Sequence, residues 1–296
     1  MDTSTFSSAL AAAQQAAGHQ HYPQGAVYMV ATPIGNLADI SLRALQVLQL
    51  VDCVACEDTR HTQQLLRAYG IDKPLLPLHE HNEEQAAQSV LTLLQQGQRV
   101  AYVSDAGTPA ISDPGARLAR VAAAQGHAVL PIPGASSVTT ALSAAGLAGD
   151  GQFVFAGFLP SKAGERDKAA ATLASEPRAV VLLEAPHRIE ALARSLAALG
   201  ERSLTVAREL TKQFEQIATL PANALTAWLD ADPNRLRGEF VLVLHPGPAA
   251  QSDGGLRVLR LLLAELPVKT AVKLAAEITG EPRNALYDAA LAMKRD

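Results

Sequence analysis

Apolar positions along the chain follow two alternating rhythms. Short, near-continuous runs, the first of them Ala26-Val-Tyr-Met-Val-Ala31, recur at about 51–56, 75–78, 99–103 and 127–132, as expected of strands buried on both faces. Between them the spacing lengthens to a helical period: Leu42, Leu45 and Leu48; Leu65 and Leu66; Val90, Leu91 and Leu94; Leu118, Val121 and Ala122; Val138, Ala141, Leu142 and Ala145. This alternation predicts an α/β domain with a largely parallel sheet over 25–146. Gly146-Leu-Ala-Gly-Asp-Gly151 punctuates the chain. A second α/β domain is expected over 152–246, with strands near 153–158, 178–183, 203–207 and 239–244, a weak one at 214–217, and helices over 187–199 and 221–230. A linker runs from His245 to Gly255, and residues 255–296 read as three short helices. Their basic residues, Lys269, Lys273, Arg283, Lys294 and Arg295, suit either a solvated face or a binding patch. Residues 1–24, rich in Ala, Gln and Ser and lacking an apolar stripe, predict a disordered extension that ends at most as a frayed helix.

The connections after the strands hold the unusual residues. Ser104-Asp-Ala-Gly-Thr-Pro-Ala-Ile-Ser-Asp-Pro-Gly115 contains two glycines, two prolines and two aspartates, and so belongs to no strand or helix interior. Its second half suits the launch of a helix, with Asp113 as cap and Pro114 at the first helical position. Asp39 is the corresponding cap after the first strand. The first half, Asp105 to Thr108, either shapes a turn or binds a ligand, because it stands at the carboxyl end of a strand, where open parallel sheets hold their ligands. Thr32-Pro-Ile-Gly-Asn36, Glu57-Asp-Thr-Arg60 and Pro133-Gly-Ala-Ser-Ser137 follow strands in the same way.

Composition narrows the chemistry. With 48% hydrophobic residues in 296, there is enough apolar material for two cores. The net charge of −4 gives no global attraction to nucleic acid or anionic membrane, so a polyanionic partner must meet a local basic patch. Neither a run of about 18 apolar residues nor a basic-then-apolar leader is present, which predicts a soluble, unexported protein with no membrane partner. Cys53 and Cys56 form a lone C-x-x-C in a strand-like run and read as buried thiols, with no metal and no disulfide. G-x-G-x-x-G after a first strand, G-x-x-x-x-G-K-[ST] and G-x-S-x-G are all missing. Loops of small and polar residues suit a ligand held mainly by backbone groups, and S-adenosylmethionine is such a ligand. Its adenine edge and amino-acid end pair with backbone groups, its sulfonium favours carbonyl oxygens, and Asp105 can accept from its ammonium or ribose.

Six segments in order carry a resemblance. Val30-Ala-Thr-Pro-Ile-Gly-Asn-Leu-Ala-Asp-Ile40, Glu57-Asp-Thr-Arg60, Ser104 to Gly115, Gly157-Phe-Leu-Pro160, Glu184-Ala-Pro-His-Arg188 and Arg208-Glu-Leu-Thr-Lys212 together resemble the ribosomal-RNA-modifying branch of the tetrapyrrole methylase (class III methyltransferase) superfamily. The likeness runs from about residue 25 to the C-terminus. It implies two α/β domains with S-adenosylmethionine in the cleft between them, plus the small helical C-terminal segment. It also implies 2′-O-methylation of a cytidine ribose in the decoding region of 16S rRNA in the small ribosomal subunit, by a cytoplasmic homodimer. Carried onto this chain, the cofactor contacts are Thr32, Pro33, Ile34 and Gly35; Asp105, Ala106, Gly107 and Thr108; and Ser136, Ser137 and Val138, of which the serines also suit helix capping. Leu183, Glu184, Ala185 and Ala207 close the site from the second domain.

In such a transfer the ribose hydroxyl attacks the methyl carbon in line with the departing sulfur, assisted by a base. Glu57, Asp58, Glu184 and Glu209 are candidate bases, unranked, and Lys212 is a candidate to stabilise the developing oxyanion. Each carboxylate can instead hold a neighbouring arginine. Arg60, Arg188, Arg208 and Lys212 follow strands in the same sense as the cofactor loops and are candidates for RNA phosphates, or for ion pairs with neighbours such as Glu57 and Glu209. Two other readings are a methylase of a tetrapyrrole or other small substrate, and a noncatalytic S-adenosylmethionine-binding module.

Overall fold

The computed structural model describes residues 6–79, 81–247 and 253–293. The chain divides into two units, one running to Leu173 and resuming over Arg178–Pro246, the other formed by Ala174–Pro177 and the chain from Gly247 on.

The larger unit holds two five-stranded sheets. In the first, β1 (Val27–Val30), β2 (Cys53–Cys56), β3 (Leu75–Pro77), β4 (Val100–Val103) and β5 (Val129–Ile132) are all parallel, in the order β3-β2-β4-β1-β5. The period of two sorts their side chains between two layers. Tyr28, Val54, Cys56, Ala101 and Val103 pack with α2 (Leu42–Leu50) and α3 (Thr59–Ala68) on one face. Val27, Ala55, Val100 and Tyr102 pack with α4 (Glu83–Gln95) and α5 (Ala116–Ala124) on the other. Cys53 and Cys56 are free, buried thiols, the latter pushed up to about 11 chiefly by burial. From β1 the chain moves toward β2, whereas from the adjacent β4 it moves toward β5. The carboxyl ends of β1 and β4 therefore flank the point at which successive connections diverge, where such sheets open a crevice.

In the second sheet β6 (Phe153–Gly157), β7 (Ala179–Glu184), β8 (Ser203–Arg208), β9 (Gln216–Pro221) and β10 (Phe240–Leu244) run in the order β6-β7-β10-β8-β9. Only the β6–β7 pair is parallel. One face packs on α7 (Ala163–Leu173), α8 (Ile189–Leu196) and α9 (Leu225–Asp230) through Val180, Leu182, Leu204, Val206 and Leu242. The other face meets the first domain: Val181, Ala207, Val241 and Val243 cluster with Ile34 and with Val138 and Ala141 of α6 (Ser137–Ala144). The glycine-rich stretch 146–151 passes between α6 and β6.

Three local expectations are corrected. Residues 7–17, expected within a disordered extension, form α1 (Ser7–Ala17), with Ala13 and Ala17 buried and the Phe6 ring 5.2 Å from that of Tyr69. Alanines four apart let two helices approach closely, a stripe too small to stand out by hydrophobicity. The cap of α2 is Ser41, whose Oγ accepts from Ala44 N at 3.1 Å, and Asp39 ends a preceding 3-10 turn. Asp113-Pro114 does not launch α5. Gly115, at φ 113°, precedes it, and the Glu83 carboxylate caps it from outside by accepting from Gly115 N and Arg117 N, each at 3.2 Å.

In the smaller unit α10 (Asp253–Glu265), α11 (Val268–Thr279) and α12 (Arg283–Met293) close on Leu259, Ala271, Val272, Ala275, Leu286 and Ala290. Residues 248–252 of the expected linker, and Lys294 and Arg295, lie outside the described residues.

Candidate active site

The loop after β4, the central strand, ties the carboxyl edge of the first sheet together. Thr32 N donates to Gly107 O at 2.9 Å and Gly107 N to Thr32 O at 3.0 Å, joining the loops after β1 and β4. Thr108 Oγ1 donates to Ala135 O at 3.0 Å on the loop after β5, and Asp105 Oδ1 accepts from Asp58 N at 3.2 Å on the loop after β2. Four non-glycine residues among those described have left-handed backbones: Ala110 and Ser112 on this loop, and Glu209 and Thr211 on the loop after β8. Such strain persists only where the surroundings enforce it, and it concentrates at functional sites.

Between the two domains lies a cavity of about 310 Å³. The first domain contributes Ile34, residues 106–108 and 111–113, and Ser136, Ser137 and Val138; the second contributes Phe158, residues 183–186, Leu210 and residues 239–241. Ten of the expected cofactor contacts therefore line one cavity: Ile34, Ala106, Gly107, Thr108, Ser136, Ser137, Val138, Leu183, Glu184 and Ala185. Thr32, Pro33, Gly35, Asp105 and Ala207 do not line it. Thr32 and Asp105 act one step back, in the hydrogen bonds just given. Ala207 is buried in the core between the domains, and Gly35 lets the loop after β1 pass the Lys212 side chain, which a Cβ at Gly35 would meet at 2.5 Å. Ser136 precedes α6 without a side-chain capping bond, which leaves its hydroxyl to the cavity.

Of the five catalytic candidates, only Glu184 lines the cavity. It is 2% exposed, and burial pushes its carboxyl up against the opposing pull of Ala185 N, Arg188, Arg166 and His187. Its Oε1 accepts from Ala185 N at 2.9 Å and faces Arg188 Nε at 3.1 Å, while Oε2 is buried without a partner among the described residues. An unmade bond on a buried carboxylate is costly, so this oxygen is suited to a donor or cation that enters the cavity. Asp58 caps α3 by accepting from Arg60 N at 2.8 Å, and its bonds to Arg60 hold its carboxyl down at about 2, too weak a base to take a hydroxyl proton. Glu57 is half-buried off the cavity wall. Burial raises Glu209, but Lys212 Nζ at 2.8 Å and Glu239 N at 3.0 Å outweigh it and leave the carboxyl below its usual range. Burial lowers Lys212, but Glu209 and Glu239 outweigh that and raise it.

The three arginine candidates separate sharply. Arg60 is 88% exposed at the start of α3 and paired with Asp58 at 2.9 Å. Arg188 bridges Glu184 to Leu159 O, holding the Gly157–Pro160 loop against the end of β7. Arg208 is a correction: it is 5% exposed, and its guanidinium donates to Arg237 O at 2.6 Å, Asn234 O at 2.6 Å, Phe214 O at 3.2 Å and Gln216 Oε1 at 3.4 Å. Three carbonyls and an amide take four of its five N–H groups, and burial keeps the guanidinium from a phosphate.

Cavity residues that the sequence did not single out as ligand contacts are Ile111, Ser112, Asp113, Phe158, Pro186, Leu210 and Glu239 to Val241. Phe158, Pro186 and Leu210 lie inside ordered motifs, which was their only signal. Asp113 read as a helix cap, and no helix begins on it. Its carboxyl is pushed up to about 6 by burial first, then by Glu57 and Asp105, with a hydrogen bond to Ser104 in partial opposition.

Comparison with known proteins places this geometry. The family described as Tetrapyrrole (Corrin/Porphyrin) Methylases matches residues 26–226, and the RsmI C-terminal HTH domain matches 249–294. The chain is 50% identical over 273 residues to ribosomal RNA small subunit methyltransferase I of Escherichia coli O157:H7, covering 90% of this chain and 95% of that protein. Among solved structures, uroporphyrin-III-C-methyltransferase from Thermus thermophilus superposes with a TM-score of 0.54 at 23% identity, covering 75% of this chain and 94% of the other. A Thermus thermophilus uroporphyrin III C-methyltransferase complexed with S-adenyl homocysteine superposes with a TM-score of 0.51 at 16% identity, over 76% and 99% of the two chains. Two sheets, a cavity between their domains and half-identity to a named relative agree: the chain belongs to the tetrapyrrole methylase family, in its ribosomal RNA small subunit methyltransferase I branch.

Proposed function

We propose that the protein transfers a methyl group from S-adenosylmethionine to the 2′-oxygen of a cytidine ribose in the decoding region of 16S rRNA, acting on the small ribosomal subunit in the cytoplasm as a homodimer. The observation that carries the reading is the cavity between the domains, lined by Glu184, whose Oε2 is buried without a partner among the described residues, in a chain half identical to a ribosomal RNA methyltransferase. The fit to the cofactor rests on that oxygen and on Gly107. At φ 80°, and with an added Cβ only 3.2 Å from Ile34 Cγ2, this position needs glycine to keep two cavity-lining loops together.

S-adenosylmethionine supplies, when bound, an electrophilic methyl on a sulfonium. Residues 106–108 and 136–138 would hold it largely through backbone groups and hydroxyls, and Glu184 would accept from its ammonium or ribose. Arg188 holds the Glu184 carboxylate in place and opposes the burial that pushes its carboxyl up. Phe158, exposed on the cavity wall, offers a ring face for a base. Arg60, in the first turn of α3 and largely exposed, is the basic group best presented to RNA backbone. An acidic protomer offers little basic surface, and two copies in a dimer would double it. Among the described residues no helix is long and apolar enough to cross a membrane.

The reading is tested by offering labelled S-adenosylmethionine together with either unmodified small ribosomal subunits or a tetrapyrrole precursor. Label on the subunits supports it, and label on the tetrapyrrole alone overturns it. Binding without transfer to either substrate favours a noncatalytic module. Arg60→Ala is expected to weaken subunit binding regardless of local sequence and to lower the slope of log affinity against log salt by about one phosphate contact. An unchanged slope removes Arg60 from the interface.

A further inference from the structure

A second cavity, of about 440 Å³, adjoins the first, and the two share Ser112 and Asp113 on their walls. We propose that the acceptor ribose arrives through this second cavity and that Asp113, at the partition, takes the proton of its 2′-hydroxyl. The inference rests on the methyl-transfer reading above.

In-line displacement requires the nucleophile to approach the methyl carbon from the side away from sulfur, so the acceptor enters beside the cofactor. The shared residues mark that entry. Beyond them the second cavity is lined by Arg117 and Arg120 of α5 and by Glu83. Arg117 pairs with Glu84 at 3.0 Å, while Arg120 is exposed and unpaired among the described residues, and so open to a phosphate flanking the ribose.

Three carboxylates line the first cavity, and two are committed. Glu184 is paired with Arg188, and Glu239, 75% exposed, accepts from Lys212 Nζ at 3.0 Å. Asp113 has no cation partner among the described residues and is held out on the partition by Ser112, whose φ of 62° is strained for a serine. The groups around it are Glu57 beyond β2, Asp105 and Ser104 on its own loop, Tyr102 of β4 and Glu83 of α4, with Arg117 and Arg120 across the second cavity. Burial, Glu57 and Asp105 push its carboxyl up to about 6, which keeps it ionised at neutral pH yet far more basic than Asp58. In the step itself the ribose oxygen forms a bond to the methyl carbon as the carbon–sulfur bond breaks. The bonding pair stays on sulfur, which becomes a neutral thioether, and the hydroxyl proton passes to the Asp113 carboxylate and then to water.

The test compares Asp113→Asn and Asp113→Glu with the full-length wild type. Carbonyl-labelled aspartate followed by carbon NMR in the protein alone is expected to show one carboxyl titrating near 6 that is missing from Asp113→Asn. Wild-type kcat/KM for S-adenosylmethionine should fall tenfold per pH unit below about 6. In Asp113→Asn the rate at pH 7.5 should drop about 100-fold or more, and that acid limb should vanish. Asp113→Glu should restore part of the rate, with cofactor affinity by calorimetry within about threefold in both variants. A wild-type rate in Asp113→Asn, a retained acid limb, or a cofactor affinity that falls in step with the rate would overturn the proposal. Wild-type inactivity on subunits would instead strike the methyl-transfer reading itself.

Discussion

Replacing Gly107 with valine is expected to lower S-adenosylmethionine affinity by at least about 100-fold, or about 2.7 kcal/mol, while the protein stays folded. At φ 80° a β-branched residue is forced into a backbone region it avoids, at a cost of about 1–3 kcal/mol. The new side chain would also stand 3.2 Å from Ile34 Cγ2 and 3.7 Å from Ala135 O, between two of the loops that line the cavity. Relief would come by opening the paired hydrogen bonds between Thr32 and Gly107, which shape the wall. Calorimetry of the variant gives the answer, with Gly107→Ala expected to lie between valine and wild type. Affinity within threefold of wild type in Gly107→Val would place the cofactor elsewhere.

Arg208→Met is expected to destabilise the second domain by about 3 kcal/mol, because carbonyls of Asn234, Arg237 and Phe214 lose the donor that ties them to β8. In thermal unfolding this corresponds to a fall of roughly 6–12 °C. The salt dependence of subunit binding should not change in whatever fraction remains folded, which separates this arginine from Arg60. A variant of wild-type stability with a shallower salt slope would return Arg208 to the RNA interface. Arg208 ends a strand and sits in an ordered motif, much as Arg60 comes shortly after one in another. What distinguishes them is tertiary: residues 234–237 fold back over the end of β8 and cap the guanidinium.

That contrast shows where the sequence is readable. The alternation of apolar runs and helical stripes located both sheets, because each strand carries its own buried pattern on consecutive residues. That the loop after β4 lies at the sheet's carboxyl edge, where it lines the cavity, was legible, since its glycines and prolines exclude regular structure and its place follows from the strand before it. Partners distant in the chain were not legible. The cap of α5 comes from Glu83, so Asp113-Pro114 imitates a helix start while its carboxylate faces two cavities. Asp105, the natural choice for a ligand's ammonium, has Oδ1 bonded to Asp58 N, whereas Glu184 on the other domain lines the cavity with an oxygen unpartnered among the described residues. The helix over 7–17 was missed because alanine packs by closeness rather than by bulk. Among five catalytic candidates the sequence had no means of ranking. Burial and partners rank them, with Asp58 and Glu209 held down by their cations and Glu184 alone on the cavity wall.

The chemical position of the transferred methyl group distinguishes ribose from base methylation, and alkaline hydrolysis reads it. Unmodified small ribosomal subunits are incubated with the protein and methyl-labelled S-adenosylmethionine, and the extracted 16S rRNA is hydrolysed completely in alkali. A methyl on a ribose 2′-oxygen removes the nucleophile that cleaves the adjacent phosphodiester, so the label is predicted to emerge in a single alkali-stable dinucleotide whose 5′ residue is cytidine. Label released in a mononucleotide, as a methylated base would give, or no label in the RNA at all, would contradict the account.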